Sequence, residues 1–157
     1  MKSFNLFTLC VLCFLSLCMT EQPVPPHTAH FYRTISGGTS HIGEECDRIH
    51  FINAIIAVES GGDDSAVGDG GKAVGCLQIH PIMVKEVNRI LKKEVYTLDD
   101  RKDRTKSIAM FRVYSSHYTP SWDGRHYELV ARRWNGGPKG DKKNATLPYW
   151  KKVKALL

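Results

Sequence analysis

Five stretches of this chain carry apolar residues at α-helical spacing, and most are bounded by glycine or proline. The first begins at about Ile42. Ile49, Ile52, Ile56 and Glu59 fall on one stripe with Ile55 beside them, and Gly61-Gly62 stop the helix. The second starts at Pro81 and carries Met83, Val87, Ile90 and Leu91. A third runs from about Thr105 to Tyr118 with Ile108, Met110, Phe111 and Tyr114. A fourth has Tyr127, Val130, Ala131 and Trp134 and ends at Gly136-Gly137-Pro138. The last begins near Pro148 with Tyr149, Val153 and Leu156. Between the first and second, residues 63–75 are polar and glycine-rich, with Val67 and Val74 as strand fragments of a short hairpin. The pattern predicts a mainly α domain with one small β element.

The chain has 157 residues, enough for one core and one domain. A charged fraction of 24% argues against wholesale disorder, and no repeat marks a solenoid or propeller. Residues 1–20 stand apart from the fold. Lys2 gives a positive start, Phe4 to Leu17 is apolar, and Thr20, Glu21, Gln22 and three prolines follow at once. This has the form of a secretory signal and is too short to span a bilayer, for which about twenty apolar residues are needed. An exported protein, secreted or periplasmic, is expected, with no membrane contact beyond that segment. Residues 21–41, rich in Pro, Gly, Ser, Thr and His, read as a flexible linker, which leaves 42–157 as the domain.

Removing residues 1–20 takes away Lys2 and lowers the formal net charge from +6 to +5. A mildly basic exported domain suits an anionic partner such as a cell wall or membrane surface. Export and the absence of a zinc-finger or aromatic RNA-binding signature disfavour nucleic acid. Cys10, Cys13 and Cys18 lie in the signal, leaving Cys46 and Cys76 either to pair in an oxidising compartment or to remain buried free thiols. The seven His form no ligand pattern, and neither a metal nor an organic cofactor is implied. Asn144-Ala145-Thr146 matches a glycosylation acceptor, a pattern frequent by chance.

Glu59 is the residue that needs an explanation. A carboxylate in the last turn of a helix faces the negative end of the helix dipole, and its isoleucine neighbours partly desolvate it. Both effects raise its pKa, as a general acid working near neutrality requires. The competing reading is an exposed Glu at a frayed helix end.

Context decides between them. Glu59-Ser60, Gly75-Cys76-Leu77-Gln78, Ala131-Arg132-Arg133-Trp134-Asn135 and Tyr149 occur in this order. The series resembles the lysozyme-like lytic transglycosylases, the soluble-transglycosylase and goose-type lysozyme superfamily, over roughly residues 44–157. That family carries a Glu-Ser at the end of a core helix, a Gly-Leu-Met-Gln-like turn after a small hairpin, and an Ala-x-x-Tyr-Asn segment. Asp103 to Tyr114 resembles a further family helix. Three departures stand out. Cys76 replaces a leucine and opens the pairing with Cys46, Trp134 replaces a tyrosine and loses its hydroxyl, and Arg104 stands at a common proline.

The resemblance implies a compact lysozyme-like domain and a peptidoglycan substrate, cleaved at the β-1,4 bond between N-acetylmuramic acid and N-acetylglucosamine. Glu59 would protonate the glycosidic oxygen and then deprotonate the muramoyl 6-hydroxyl, giving a 1,6-anhydro end without a second carboxylate. The alternative is a hydrolytic muramidase, with Asp69 activating water from roughly 6.5–9.5 Å away. Asp69-Gly70-Gly71 is also ordinary hairpin-turn chemistry, which is the favoured reading of Asp69. A non-catalytic glycan-binding module is a second alternative. Gln78 and Asn135 would line the cleft, although Asn135 also suits a helix cap. Ser60 would orient Glu59 or fix the turn after it. Tyr149 would donate to Glu59 or to sugar, and Trp134 would offer a sugar platform. Both aromatic residues have the alternative of simple core packing.

Overall fold

The long first helix exists because its inner face is almost wholly apolar while Gly61 and Gly62 supply the left-handed backbone that ends it, at φ 66° and 94°. In the computed structural model, which describes residues 39–157, this helix (α1) spans Thr39–Ser60. Residues 39–41 of the expected linker are therefore helical. The expected signal at 1–20 and the rest of the linker lie outside the described residues. Phe51, Ile52, Ile55 and Ile56 are buried on α1, each at most 3% exposed. Ile49, expected on the same stripe, is 46% exposed. The buried face is turned toward Phe51, whose ring stacks on Tyr127 at 4.2 Å, and this turn leaves Ile49 at the edge.

A two-stranded antiparallel hairpin follows, β1 (Val67–Gly68) and β2 (Ala73–Val74), with Val67 opposite Val74. Its turn, Asp69 to Gly71, has positive φ at all three residues: 48°, 61° and 91°. Val74 also bridges to Ile79, which folds the segment that follows β2 back onto it. At the base, Gly75 has φ 82°, and a Cβ there would overlap the Arg101 carbonyl. Arg101 is itself buried and donates from Nη1 to the carbonyls of Lys72 (3.0 Å) and Ile79 (3.1 Å). The hairpin is thus fastened through main-chain carbonyls, since its two-residue strands have little apolar surface to bury.

Helix α2 spans Pro81–Leu91, with proline in its first turn where no N–H is needed. Val84 and Val87 are buried, whereas Leu91, expected on this face, is 38% exposed. Asn88 is buried and uses its whole amide. It donates to Glu94 Oε2 and the Tyr96 carbonyl (both 2.8 Å) and accepts from the Val95 (3.1 Å) and Tyr96 (3.0 Å) N–H groups. Helix α3, Arg104–Tyr118, is capped by Asp103, which accepts from Lys106 N at 3.0 Å. Helix α4, Tyr127–Gly136, buries Tyr127, Val130, Ala131 and Trp134 as their spacing requires. Helix α5 spans Leu147–Lys154 and buries Val153.

The architecture is mainly α, with five helices and one hairpin among the described residues. The core gathers Phe51, Phe111, Tyr114, Trp122, Tyr127 and Trp134 around α1, α3 and α4. Burying aromatic side chains of this size contributes about 1.5–3 kcal/mol apiece before the entropy of ordering them. Cys46 and Cys76 are both free: Cys46 is exposed on α1 and Cys76 is buried at the hairpin base. Of the two alternatives open from the sequence, the free thiols are the one the structure has, with the difference that only Cys76 is buried. Burial and the neighbouring Asp64 carboxylate push the Cys76 thiol up to about 11, which keeps it protonated. No helix among the described residues is long and apolar enough to cross a membrane, and they hold no cluster of metal-ligating side chains.

Candidate active site

Helix α1 delivers Glu59 one residue before its end, and α4 and α5 bring two donors to meet it. Tyr149 donates its hydroxyl to Glu59 Oε1 at 2.7 Å, and Trp134 donates its indole N–H to the same oxygen at 3.1 Å. None of the described residues bonds Oε2, which is left to the groove that Glu59 lines. Burial raises the pKa of Glu59, and the two donated hydrogen bonds partly offset that rise. The Tyr149 hydroxyl is held well above its ordinary range by burial and by the facing carboxylate, so it remains a donor.

Of the two readings of Trp134, sugar platform or core aromatic, the structure favours the second: it touches the groove but is 7% exposed, packed on Phe111 (4.8 Å between ring centroids) and edge-on to Tyr114 (5.8 Å). Its indole nitrogen supplies a donor to the carboxylate, and an indole N–H can only donate.

The groove has a volume of about 450 Å³. Five of the sequence-predicted residues line it: Glu59, Asp69, Gln78, Trp134 and Asn135. Tyr149 and Ser60 do not. Tyr149 stands behind Glu59. Ser60 makes no hydrogen bond to the carboxylate; its Oγ donates to the Cys76 carbonyl (2.8 Å) and accepts from Gly62 N–H (3.1 Å). Of its two readings, the one that fixes the turn is the one the structure has. Asn135 lies inside α4, exposed to the groove.

Gln78 serves the hairpin as much as the groove. Its Nε2 donates to the carbonyls of Ala66 (3.2 Å) and Gly75 (3.0 Å), and its backbone takes φ 47°. Its Oε1 lies so close to Gly68 that a Cβ there would strike it. Arg104 has a comparable function. It donates to the Gly62 carbonyl and to Asp64 Oδ2 (3.1 Å), tying the loop that follows Glu59 to the start of α3.

Asp69 stands in a different setting. Its side chain is 64% exposed, and the His80 ring lies beside it, with Nε2 3.4 Å from Oδ2. His80, Ile82, Met83 and Gly137 also line the groove, and none of them stands out in the sequence as a site residue. The available signals were the His80-Pro81 start of a helix and the Gly136-Gly137 stop. Both mark where a helix end turns toward a neighbour without saying which neighbour.

The family model described as the transglycosylase SLT domain matches residues 46–157. Invertebrate-type lysozyme 6 of Caenorhabditis elegans is 59% identical over 29 residues, 18% of this chain and 21% of that protein. The matched segment thus spans about a fifth of that relative. No solved structure matches the chain.

Proposed function

Because the chain belongs to the transglycosylase SLT domain family, we propose that it cleaves the β-1,4 glycan of peptidoglycan between N-acetylmuramic acid and N-acetylglucosamine, with Glu59 as general acid and then base. The observation that carries this reading is the convergence of two donors on one oxygen of a partly buried carboxyl group. Oε1 accepts from both Trp134 and Tyr149, so the acidic proton belongs on Oε2, toward the groove. Burial keeps that proton at a higher pH than an ordinary carboxylate would.

In the proposed reaction Glu59 Oε2–H protonates the glycosidic oxygen as the C1–O bond breaks. The resulting carboxylate is stabilised by the two donors and removes the proton of the muramoyl 6-hydroxyl. That oxygen closes on C1, leaving a 1,6-anhydro sugar and restoring the protonated acid. No water is consumed. Gln78 and Asn135 line the groove where sugar amides would lie. The Lys2-led, largely apolar segment at 1–20 supports export, secreted or periplasmic.

A second reading, hydrolysis with Asp69 activating water, is supported by the presence of Asp69 in the same groove. Its exposed turn position gives it none of the burial or fixed donors that Glu59 has. Mass spectrometry of soluble products from purified peptidoglycan tests the two. Muramoyl products lighter by one water, absent with Glu59→Gln, are expected. Reducing-end products would establish the hydrolase, and glycan binding without products from wild type would establish a binding module.

A further inference from the structure

The charge of the described residues is gathered in one segment. Residues 39–138 carry 14 Lys and Arg against 14 Asp and Glu, whereas residues 139–157 carry six lysines against the single Asp141. A net charge of +5 therefore belongs to those nineteen residues alone. We propose that this lysine-rich face docks a linear phosphodiester polymer borne on the wall glycan, apart from the groove that would hold the sugars. The proposal rests on the peptidoglycan reading above for the place where such a polymer is met.

The fold keeps these lysines together and leaves their charge unmet. The turns Gly140–Lys142 and Asn144–Thr146 and helix α5 pack on one another and on α4. Arg132 fastens the turns, donating from Nε to Oγ1 of the buried Thr146 (3.0 Å) and from Nη2 to the Lys143 carbonyl (3.3 Å). Both arginines of this block meet acids: Arg132 pairs with Glu128 (2.9 Å) and Arg133 with Asp141 (3.1 Å). That takes up the one acid of the segment. Lys139, Lys142, Lys143, Lys151, Lys152 and Lys154 are all exposed. Among the described residues the lysines that form ion pairs are Lys102 and Lys106, outside this segment. Lys143 donates to the Gly136 carbonyl (2.6 Å), a neutral partner that leaves its charge in place.

Charge complementarity narrows the occupant. A single exposed ion pair gains little in water, so isolated peptide carboxylates are poor ligands for such a face. A polymer with a charge on every repeat engages several lysines at once and releases its counterions. Lysine is a point charge on a flexible stem, which reads charge rather than a fixed shape. A bilayer fits less well, because an interfacial helix offers its apolar face to lipid. The apolar face of α5 is turned inward, with Val153 fully buried and Tyr149 bonded to Glu59. Exposed Leu147, Leu156 and Leu157 flank the lysines of α5, which makes a membrane the rival to test. Position agrees with the polymer. Gly137 lines the groove, and Lys139 follows two residues later, so a chain grafted on the bound glycan would run onto this face.

The test measures retention of the purified protein on walls carrying poly(glycerol phosphate), and on the same walls stripped of it by hydrofluoric acid. Glu59→Gln serves as the parent so that no wall is digested, and the result does not depend on cleavage. The parent is expected to bind the intact walls about tenfold or more tightly than the stripped ones, with the difference vanishing at high salt. Combining Lys139→Gln, Lys142→Gln, Lys151→Gln, Lys152→Gln and Lys154→Gln should abolish the difference, while the five Lys→Arg changes retain it. Equal retention of the parent on both walls would overturn the proposal, whether or not the Lys→Gln variant folds. So would a folded Lys→Gln variant that keeps the difference, or one that weakens on both walls alike. Binding to phosphatidylglycerol vesicles without binding to soluble poly(glycerol phosphate) would overturn it in favour of a membrane surface. Absence of cleavage by wild type would instead sink the enzymatic reading and leave these binding results standing.

Discussion

Glu59 and Asp69 are ten residues apart, line one groove, and differ in almost every physical respect. Glu59 stands one residue before the end of a 22-residue helix, is largely buried, and receives two fixed donors on a single oxygen. Asp69 sits in a three-residue turn, mostly in water, with one histidine nearby. Sharing a cleft does not give two carboxylates the same chemistry. Burial raises the pKa of the first while its two oriented donors partly offset the rise, and the second has neither burial nor a fixed pair of donors.

Four tests would sharpen or break this contrast. The largest effect is expected from Glu59→Gln, which should lower the cleavage rate on peptidoglycan by roughly 10²–10⁴-fold. The same variant has a stability signature. Because folding raises the pKa of Glu59, the native state is favoured with the proton on, and that contribution is lost as pH rises through the raised pKa. Glu59→Gln should therefore melt above wild type at about pH 8, with the gap closing near pH 4 where both side chains are neutral. A gap that widens toward acid pH would contradict the raised pKa.

Second, Gly75→Ala should destabilise by about 3 kcal/mol, through positive φ and overlap with the Arg101 carbonyl, lowering Tm by more than about 10 °C. Thermal melts would check this, and a near-neutral result would mean that the hairpin base is looser than the structure has it. Third, Tyr149→Phe should lower kcat about tenfold and move the alkaline limb of the pH–rate profile upward, because a donor that favours the ionised carboxylate is gone. Trp134→Phe should do the same to a smaller extent, its bond being 3.1 Å against 2.7 Å. Fourth and smallest, Asp69→Asn should change kcat by less than about threefold if turn chemistry is its main work. A loss of about a hundredfold would erase the contrast between the two carboxylates.

Much of this arrangement can be read from the residues before any coordinates. The helices announce themselves by spacing and by Gly or Pro at their ends, and the carboxylate at the end of α1 is conspicuous because isoleucines flank it. Val67 and Val74 mark the hairpin, and they do pair. Less legible is anything that depends on two distant segments meeting. Ile49 has the spacing of a buried residue, yet Phe51 rotates the buried face away from it. Trp134 gives no hint that its nitrogen, rather than its ring face, meets Glu59, 75 positions away. Ser60 stands beside the acid in sequence and bonds instead to Cys76 across the turn. Arg104 and Gln78 act through backbone carbonyls, and a carbonyl has no sequence signature at all.

The claim that Glu59 works without a second carboxylate is tested most directly by digesting peptidoglycan in water enriched in oxygen-18. A reaction closed by the muramoyl 6-hydroxyl predicts products carrying no heavy oxygen at the cleaved end, with wild type and Asp69→Asn alike. Heavy oxygen at the new reducing end of every product, lost together with activity in Asp69→Asn, would contradict it and assign the bond cleavage to two carboxylates and water.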